Sequence, residues 1–292
     1  MSWDTVQITE FNAALDVQEQ QMNSRLLPYV KRIGISGDNF AYDGLTEVQS
    51  YRANGRNPEI QPTQATFTRR KLSRERVVVT LEVDQRDVRG MLSDPKGDLA
   101  RLCIAAIERE TDRVIYDALL ATVYTGRNFA TSVSYTTDGV LSVDATAAFT
   151  YERLLEIRAN FIDNEVGNAG LTPIVIGISG DEHTDLMSEI ELTSGDYTSQ
   201  YAIQSGSIKQ ALGMNLVAFG AGVTDPILET VGGERISFAL AQNGIALGIS
   251  LERKVEVKDN PLKVETSIIN VIKEMGAVRT QGVRVLRVRL TP

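Results

Sequence analysis

The stretch from Asp94 to Gly126, DPKGDLARLCIAAIERETDRVIYDALLATVYTG, limits the possible folds more than any other part of the chain. Asp94 suits a helix N-cap and Pro95 the first helical position, where a missing N–H costs nothing, while Gly126 supplies a stop. Ala100, Ile104, Ile107, Thr111, Val114, Ala118 and Ala121 step by four and three into one apolar stripe, with Arg101, Glu108, Arg109, Asp112 and Arg113 off it. The pattern predicts a spine helix over 95–125. At ~1.5 Å per residue it would be roughly 46 Å long, about the width of a domain, so other elements must be arranged around it.

Upstream, Val6 to Ser24 reads as a helix with a thin apolar face carrying Phe11 and Leu15, too polar to hold itself in place. Residues 38–76 hold few large apolar residues, turn signals at Asn54-Gly55 and Asn57-Pro58, and extended flanks, which predicts a long β-hairpin. A solitary hairpin is marginal in water, so this one needs a neighbour. It carries Arg52, Arg56, Arg69, Arg70, Lys71, Arg74 and Arg76 in a chain whose formal net charge is −8, an arrangement suited to contact with the acidic body of a second copy. The competing interpretation is a solvated charged face. No aromatic platforms are interleaved with the basic residues, which argues against nucleic-acid recognition there.

Downstream, VVVTLEV at 77–83 predicts a strand, and Asp138-Gly139 inside TSVSYTTDGVLSVDA predicts a short hairpin. Thr150 begins a second helix, Tyr151 to Asn164, with Leu154, Leu155, Ile157, Phe161 and Ile162 towards a core. TPIVIGIS at 172–179 suits a strand buried on both faces, followed by a helix from Ser179 or Asp181. A short helix at Ile208 to Leu212 closed by Gly213, then strands MNLVAF and ISFALA, complete an α/β lobe over 150–246. The last forty residues are strand-like, and VRVLRVRL is expected beside them in a sheet under the spine helix.

Catalytic signatures are weak. His183 lies among Asp181, Glu182 and Asp185 without a recognised metal spacing, and reads as an exposed residue beside helix-start carboxylates. Cys103 falls in the apolar part of the spine as a small core residue, so no disulfide forms within the chain. SGSIKQALG lacks the first glycine of a phosphate loop. The expectation is a protein that is not an enzyme, with no catalytic, cofactor-binding or metal residues and no cofactor. No secretory signal or membrane-spanning run of apolar residues is present.

Three segments carry a family likeness: ERETDRVIYDALLATVYTG, TSGDYTSQYAIQSGSIKQALGMNLVAF, and FALAQNGIALGIS followed by MGAVRTQGVRVLRV. With the order of arm, polar hairpin, spine helix and α/β lobe, they make the chain resemble tailed-bacteriophage major capsid proteins of the Hong Kong 97-type fold. The resemblance implies an α+β chain with four parts. These are an N-terminal arm at 1–37, an extended loop at 38–76, a peripheral domain from 77–149 and 247–292 with the spine helix on a β-sheet, and an axial domain at 150–246. It implies self-assembly into pentamers and hexamers of an icosahedral head around double-stranded DNA, in a virion assembled in the host bacterial cytoplasm.

The implied intersubunit contacts are Arg52, Arg56, Arg69, Arg70, Lys71 and Arg74 in the loop, Asp196 and Tyr197 in an axial loop, and Phe11 and Leu15 in the arm. The implied partners are a scaffolding protein, a portal protein and decoration proteins, with weak, non-specific contact to packaged DNA and none to membrane. Because the chain starts almost directly with the arm, a separate scaffold or earlier trimming is expected. Lys71 has no identifiable asparagine partner, so no covalent cross-link is expected. The alternatives are an encapsulin-type shell enclosing cargo protein, and a soluble α/β enzyme using the Asp181 to Asp185 cluster.

Overall fold

The computed structural model describes residues 20–46, 48, 50–52, 62–85, 88, 96–144, 148–167, 172–189, 208–223, 225–260, 263 and 265–290. Its spine is helix α1, Lys96–Leu120, 25 residues and about 37 Å long. The first half of α1 lies on a four-stranded sheet. In that sheet the long antiparallel pair β13 (Ile245–Asp259) and β14 (Thr266–Arg279) is flanked by β1 (Lys31–Gly34) and β4 (Glu75–Asp84). Strand β4 runs beside β14 without a break in register, from Glu75 opposite Met275 to Asp84 opposite Thr266. Cys103 and Ile107 of α1 meet Val83, Ile269 and Val271 there in a dry layer.

The second half of α1 enters a core shared with another sheet. Seven strands form it: β7 (Leu141–Asp144), β15 (Val285–Leu290), β12 (Glu234–Ala241), β8 (Ile174–Ile178), β10 (Met214–Ala218) and β9 (Gln210–Ala211) in that order, with β11 (Thr230–Val231) paired to β12. Ile115, Tyr116 and Leu119 pack against Val175, Phe238, Leu240, Met275 and Val285, so residues from both sheets close on one helix. Helix α2 (Tyr151–Asp163) covers the seven-stranded sheet with Leu154, Ile157 and Phe161. Strand β8 is buried throughout, as its unbroken apolar run requires. Helix α3 (Gly180–Ser188) follows it behind a capping box in which the Ser179 side chain accepts from the Glu182 N–H, and the Glu182 carboxylate accepts from the Ser179 N–H.

Several expectations change on contact with the structure. The spine stops at Leu120 rather than near Gly126, because Val123–Thr125 forms strand β5, paired with β6 (Thr131–Val133). Asp112, placed on the wet face, is fully buried: its carboxylate accepts from the Gln21 and Ser24 side chains and from the backbone N–H of Arg25 and Leu26. Leu155 and Ile162 point to solvent, since the stripe of α2 is the narrower 154, 157, 161 series. Residues 208–212 contain β9 and not a helix, with Leu212 and Gly213 both at positive φ in the tight turn to β10. The closing strand β15 joins the seven-stranded sheet between β7 and β12, away from β13 and β14. Asp138-Gly139 makes no hairpin, because β6 pairs with β5 while β7 runs parallel to β15. Gln20 to Ser24 are not helical, and the rest of the arm helix lies outside the described residues.

Candidate intersubunit interface

The 38–76 segment folds into a hairpin of β2 (Asn39–Leu45) and β3 (Phe67–Ser73), in register from Asn39 opposite Ser73 to Leu45 opposite Phe67. Its turn signals at 54–58 lie outside the described residues. The two ends of the described hairpin have different environments. Near the body, Leu72 is buried with Ile35, Val123, Ala246 and Val278, and Arg70 pairs with Thr125 of β5, so the base is part of the core. Gly276 lets β14 pass close beneath: a Cβ there would sit 1.9 Å from the Ser73 carbonyl oxygen. At the far end Leu45 and Phe67 face each other across the ladder at 59% and 75% exposure, and Val48 and Tyr51 beyond them are also exposed.

The base is fixed by a buried ionic centre. Arg70 donates from both terminal nitrogens to the two Asp138 carboxylate oxygens at 2.7 Å, and from Nη1 to the Arg279 carbonyl. Arg279, which is fully buried, donates from Nε to the same Asp138 carboxylate at 2.7 Å and from Nη1 to the carbonyls of Leu119 and Ala121. Orphan carbonyls at the end of α1 are thus satisfied by a strand residue 160 positions away. Gly282 lets the Asp138 backbone pass close by, since a Cβ there would meet the Asp138 carbonyl oxygen at 1.9 Å. Burial alone would raise the Asp138 carboxyl, but its hydrogen bonds to Arg70 and Arg279 outweigh that and hold it below the ordinary range. Burial also draws Arg279 down, with Asp138 opposing. One carboxylate therefore fixes the hairpin, the end of the spine and β14 to one another.

Residue by residue, the expected contacts divide. Arg69 is exposed and makes a bidentate pair with Asp43 across the hairpin at 2.7 and 2.9 Å. Arg74 bridges Asp38 at 2.5 Å and Glu274 at 3.0 Å, Lys71 is half-buried, and Arg52 is exposed. Arg70 leaves the set of surface contacts, since at 8% exposure its charge is spent inside the chain. Arg56, Asp196, Tyr197, Phe11 and Leu15 lie outside the described residues.

The acidic cluster of α3 is also structural. Glu182 is buried and accepts from the Ser237 hydroxyl, Arg235 bonds Ser179 and Asp181, and burial raises the Glu182 carboxyl. His183 is half-buried rather than exposed, with Nε2 accepting from the Ile208 N–H. No group of histidine, cysteine, aspartate and glutamate among the described residues is placed to hold a metal, and no described helix is long and apolar enough to cross a membrane.

Residues 4–291 match the family described as phage capsid protein. The chain belongs to that family. This capsid protein matches no curated protein. Its fold matches those of solved capsids over nearly the whole length. A chain from Mycobacterium phage Che8 aligns with TM-score 0.68 and 17% identity over 96% of each chain. One from the cyanophage P-SCSP1u capsid gives 0.71 and 10% over 97% of this chain and 93% of that one. One from the acidic stable capsid of Helicobacter pylori bacteriophage KHP30 gives 0.71 and 9% over 97% and 95%. The mixed helix-and-sheet fold is consistent with the Hong Kong 97 type, and the subunit is a structural protein of the phage head shell.

Proposed function

We propose that copies of this chain assemble into pentamers and hexamers that close into an icosahedral head around double-stranded DNA. The observation that carries this is the hairpin itself: its base is locked by Asp138 while the Leu45 and Phe67 pair is held out from its own body. Large apolar side chains fixed in that position are covered by a second subunit, and closure of a ring repeats the contact at every interface. In this reading α1 with β4, β13 and β14 is the peripheral part, and the seven-stranded sheet, including β7 and β15, is the axial part. Arg52, Arg56, Arg69, Lys71 and Arg74 on the loop, Asp196 and Tyr197, and Phe11 and Leu15 are the proposed contacts between copies. A scaffolding protein, a portal protein and decoration proteins belong to the same proposal. Packaged DNA touches a subunit of net charge −8 only weakly and without sequence preference.

Negative-stain microscopy and sedimentation of the protein, expressed alone and with its genomic neighbours, test this. Closed shells are expected, with nucleic acid in the lumen when the packaging proteins are present. A monodisperse monomer under both conditions refutes it, and shells filled with cargo protein favour an encapsulin-type compartment.

A further inference from the structure

Strand β4 is an outer strand of the four-stranded sheet, bound to β14 on one side. On its other side the backbone of Val77 to Leu81 meets no partner among the described residues. A groove of about 700 Å³ runs along that side. Glu75, Arg76, Val77, Val78 and Val79 all line it, although successive residues of a strand point to opposite faces, so the groove follows the open edge itself. Ala106, Glu110 and Val114 of α1 form another wall. The edge is unguarded: residues 77–81, VVVTL, contain no charge and no proline, and their register with β14 is unbroken. Beyond Ile249, the open edge of β13 in the same sheet carries Lys254 and Lys258 and follows two register irregularities, the usual devices against pairing. One edge of this sheet is protected from strand addition, and the other is left open to it.

We propose that the outer segment of the hairpin of a second copy, from Leu45 to Arg52, enters this groove and adds a strand to β4. The inference rests on the assembly reading above and gives the exposed end of the hairpin its counterpart. An open edge presents a row of main-chain donors and acceptors, which extended backbone satisfies in series. Side chains then select the segment. The groove is apolar at Val77, Val79, Val114 and Ile227, while the projecting segment exposes Leu45, Val48 and Tyr51. Its backbone is available as well: Thr46 still bonds Thr66 across the hairpin, but the described residues from there to Arg52 form no strand. Eight residues at ~3.3 Å each span roughly 26 Å, enough to follow the roughly 17 Å of edge that lines the groove. Two copies of β4 fit each other less well. A two-fold pairing along the full strand sets Glu75 opposite Asp84 and closes a dimer, whereas the contact of hairpin with edge is heterologous and closes rings.

The test uses full-length protein that forms shells. Val78, exposed in the subunit, is replaced by the photo-reactive p-benzoylphenylalanine, and shells are co-assembled from ¹⁴N- and ¹⁵N-labelled subunits. Irradiation is expected to yield mixed-isotope peptides joining position 78 to residues 45–52 of another copy. Hydrogen exchange read by mass spectrometry should show peptides over 75–84 exchanging about tenfold more slowly in shells than in subunits, because the open edge becomes paired. Val78→Lys, which guards this edge as Lys254 guards that of β13, is expected to raise the subunit concentration needed for assembly about tenfold. Its thermal unfolding before assembly should match the wild type, because the side chain is exposed. The proposal is overturned if shells form but position 78 couples within its own chain, to residues 1–19, to any other segment or not at all. Equal exchange over 75–84 in shells and subunits also overturns it, as does assembly of Val78→Lys at the wild-type concentration. Failure of wild-type subunits to form shells overturns the assembly reading and this proposal with it, whereas shells without the cross-link overturn this proposal alone.

Discussion

Replacing Asp138 removes the one anion shared by two buried guanidinium groups, and the structure sets the size of the effect. The Asp138 side chain is 8% exposed and accepts three N–H donors, two from Arg70 and one from Arg279, whose own side chain is sealed from water. Taking one partner from a buried ion pair costs about 3–5 kcal/mol, because the remaining charge stays desolvated. Asp138→Asn keeps one acceptor oxygen and belongs near about 3 kcal/mol; Asp138→Ala belongs near the upper end. Against a total stability of about 5–15 kcal/mol, either change is large. Urea unfolding of unassembled subunits, followed by far-ultraviolet circular dichroism, reads it directly. With a slope near 3 kcal/mol per molar, Asp138→Asn should lower the midpoint by about 1 M.

The same centre has a pH signature. The Asp138 carboxyl is lowered in the folded chain, so its stabilisation is present above the ordinary carboxylate pKa of about 3.9 and is lost as pH falls through the folded value. Wild-type stability should therefore fall more steeply in acid than that of Asp138→Asn. A double-mutant cycle with Arg70→Ala should show coupling above about 1 kcal/mol. A change under about 0.5 kcal/mol in Asp138→Asn, or parallel pH profiles for the two proteins, would show that this centre does not hold the hairpin base.

Three further outcomes follow from the same geometry. Arg69→Glu should leave unfolding of the subunit unchanged and lower particle yield, whereas Arg70→Glu should prevent stable folding; circular dichroism and sedimentation separate the two. Phe67→Ser combined with Leu45→Ser should preserve the monomer, since both side chains are exposed, but reduce assembly as measured by light scattering. Gly276→Ala and Gly282→Ala each drive a Cβ to 1.9 Å from a backbone carbonyl oxygen, and should each cost about 1–3 kcal/mol in a denaturation curve.

What the sequence made legible was local. The run IVIGI is a strand buried on both faces because no polar residue interrupts it, and Ser179 with Glu182 at the third helical position writes the start of α3 in four residues. The alternation of β13 and the turn residues at 259–260 likewise specify a long antiparallel pair. Pattern alone did not say which sheet VRVLRVRL joins, since the same periodicity suits an edge beside β13 or a place between β7 and β12. Only the burial of Leu286 and Val288 against α2 and β8 decides it.

The ionic base of the hairpin was illegible for a more basic reason. Arg70 and Asp138 are 68 positions apart, and Asp138 and Arg279 are 141 apart. Each residue alone carries a plausible local reading: a basic residue of a polar loop, the first half of a hairpin dipeptide, a charge near the end of a strand. Asp138-Gly139 did mark a special backbone, with Gly139 at positive φ, but what that backbone serves is an ion pair and a close approach by Gly282. Arg279 ends α1 from outside, so the stop could not be read from the helix sequence, and Thr122 to Thr125 were free to read as more helix. Asp112 hides in the same way: between Thr111 and Arg113 it looks like solvated charge, and only the return of Gln21 to Leu26 over the helix gives it four donors. In this subunit the buried charges mark where distant segments are tied together, and the exposed apolar pair of the hairpin is where the proposed assembly would place a second copy. Polarity read in the opposite sense, with charges as surface and apolar residues as core, misplaces both.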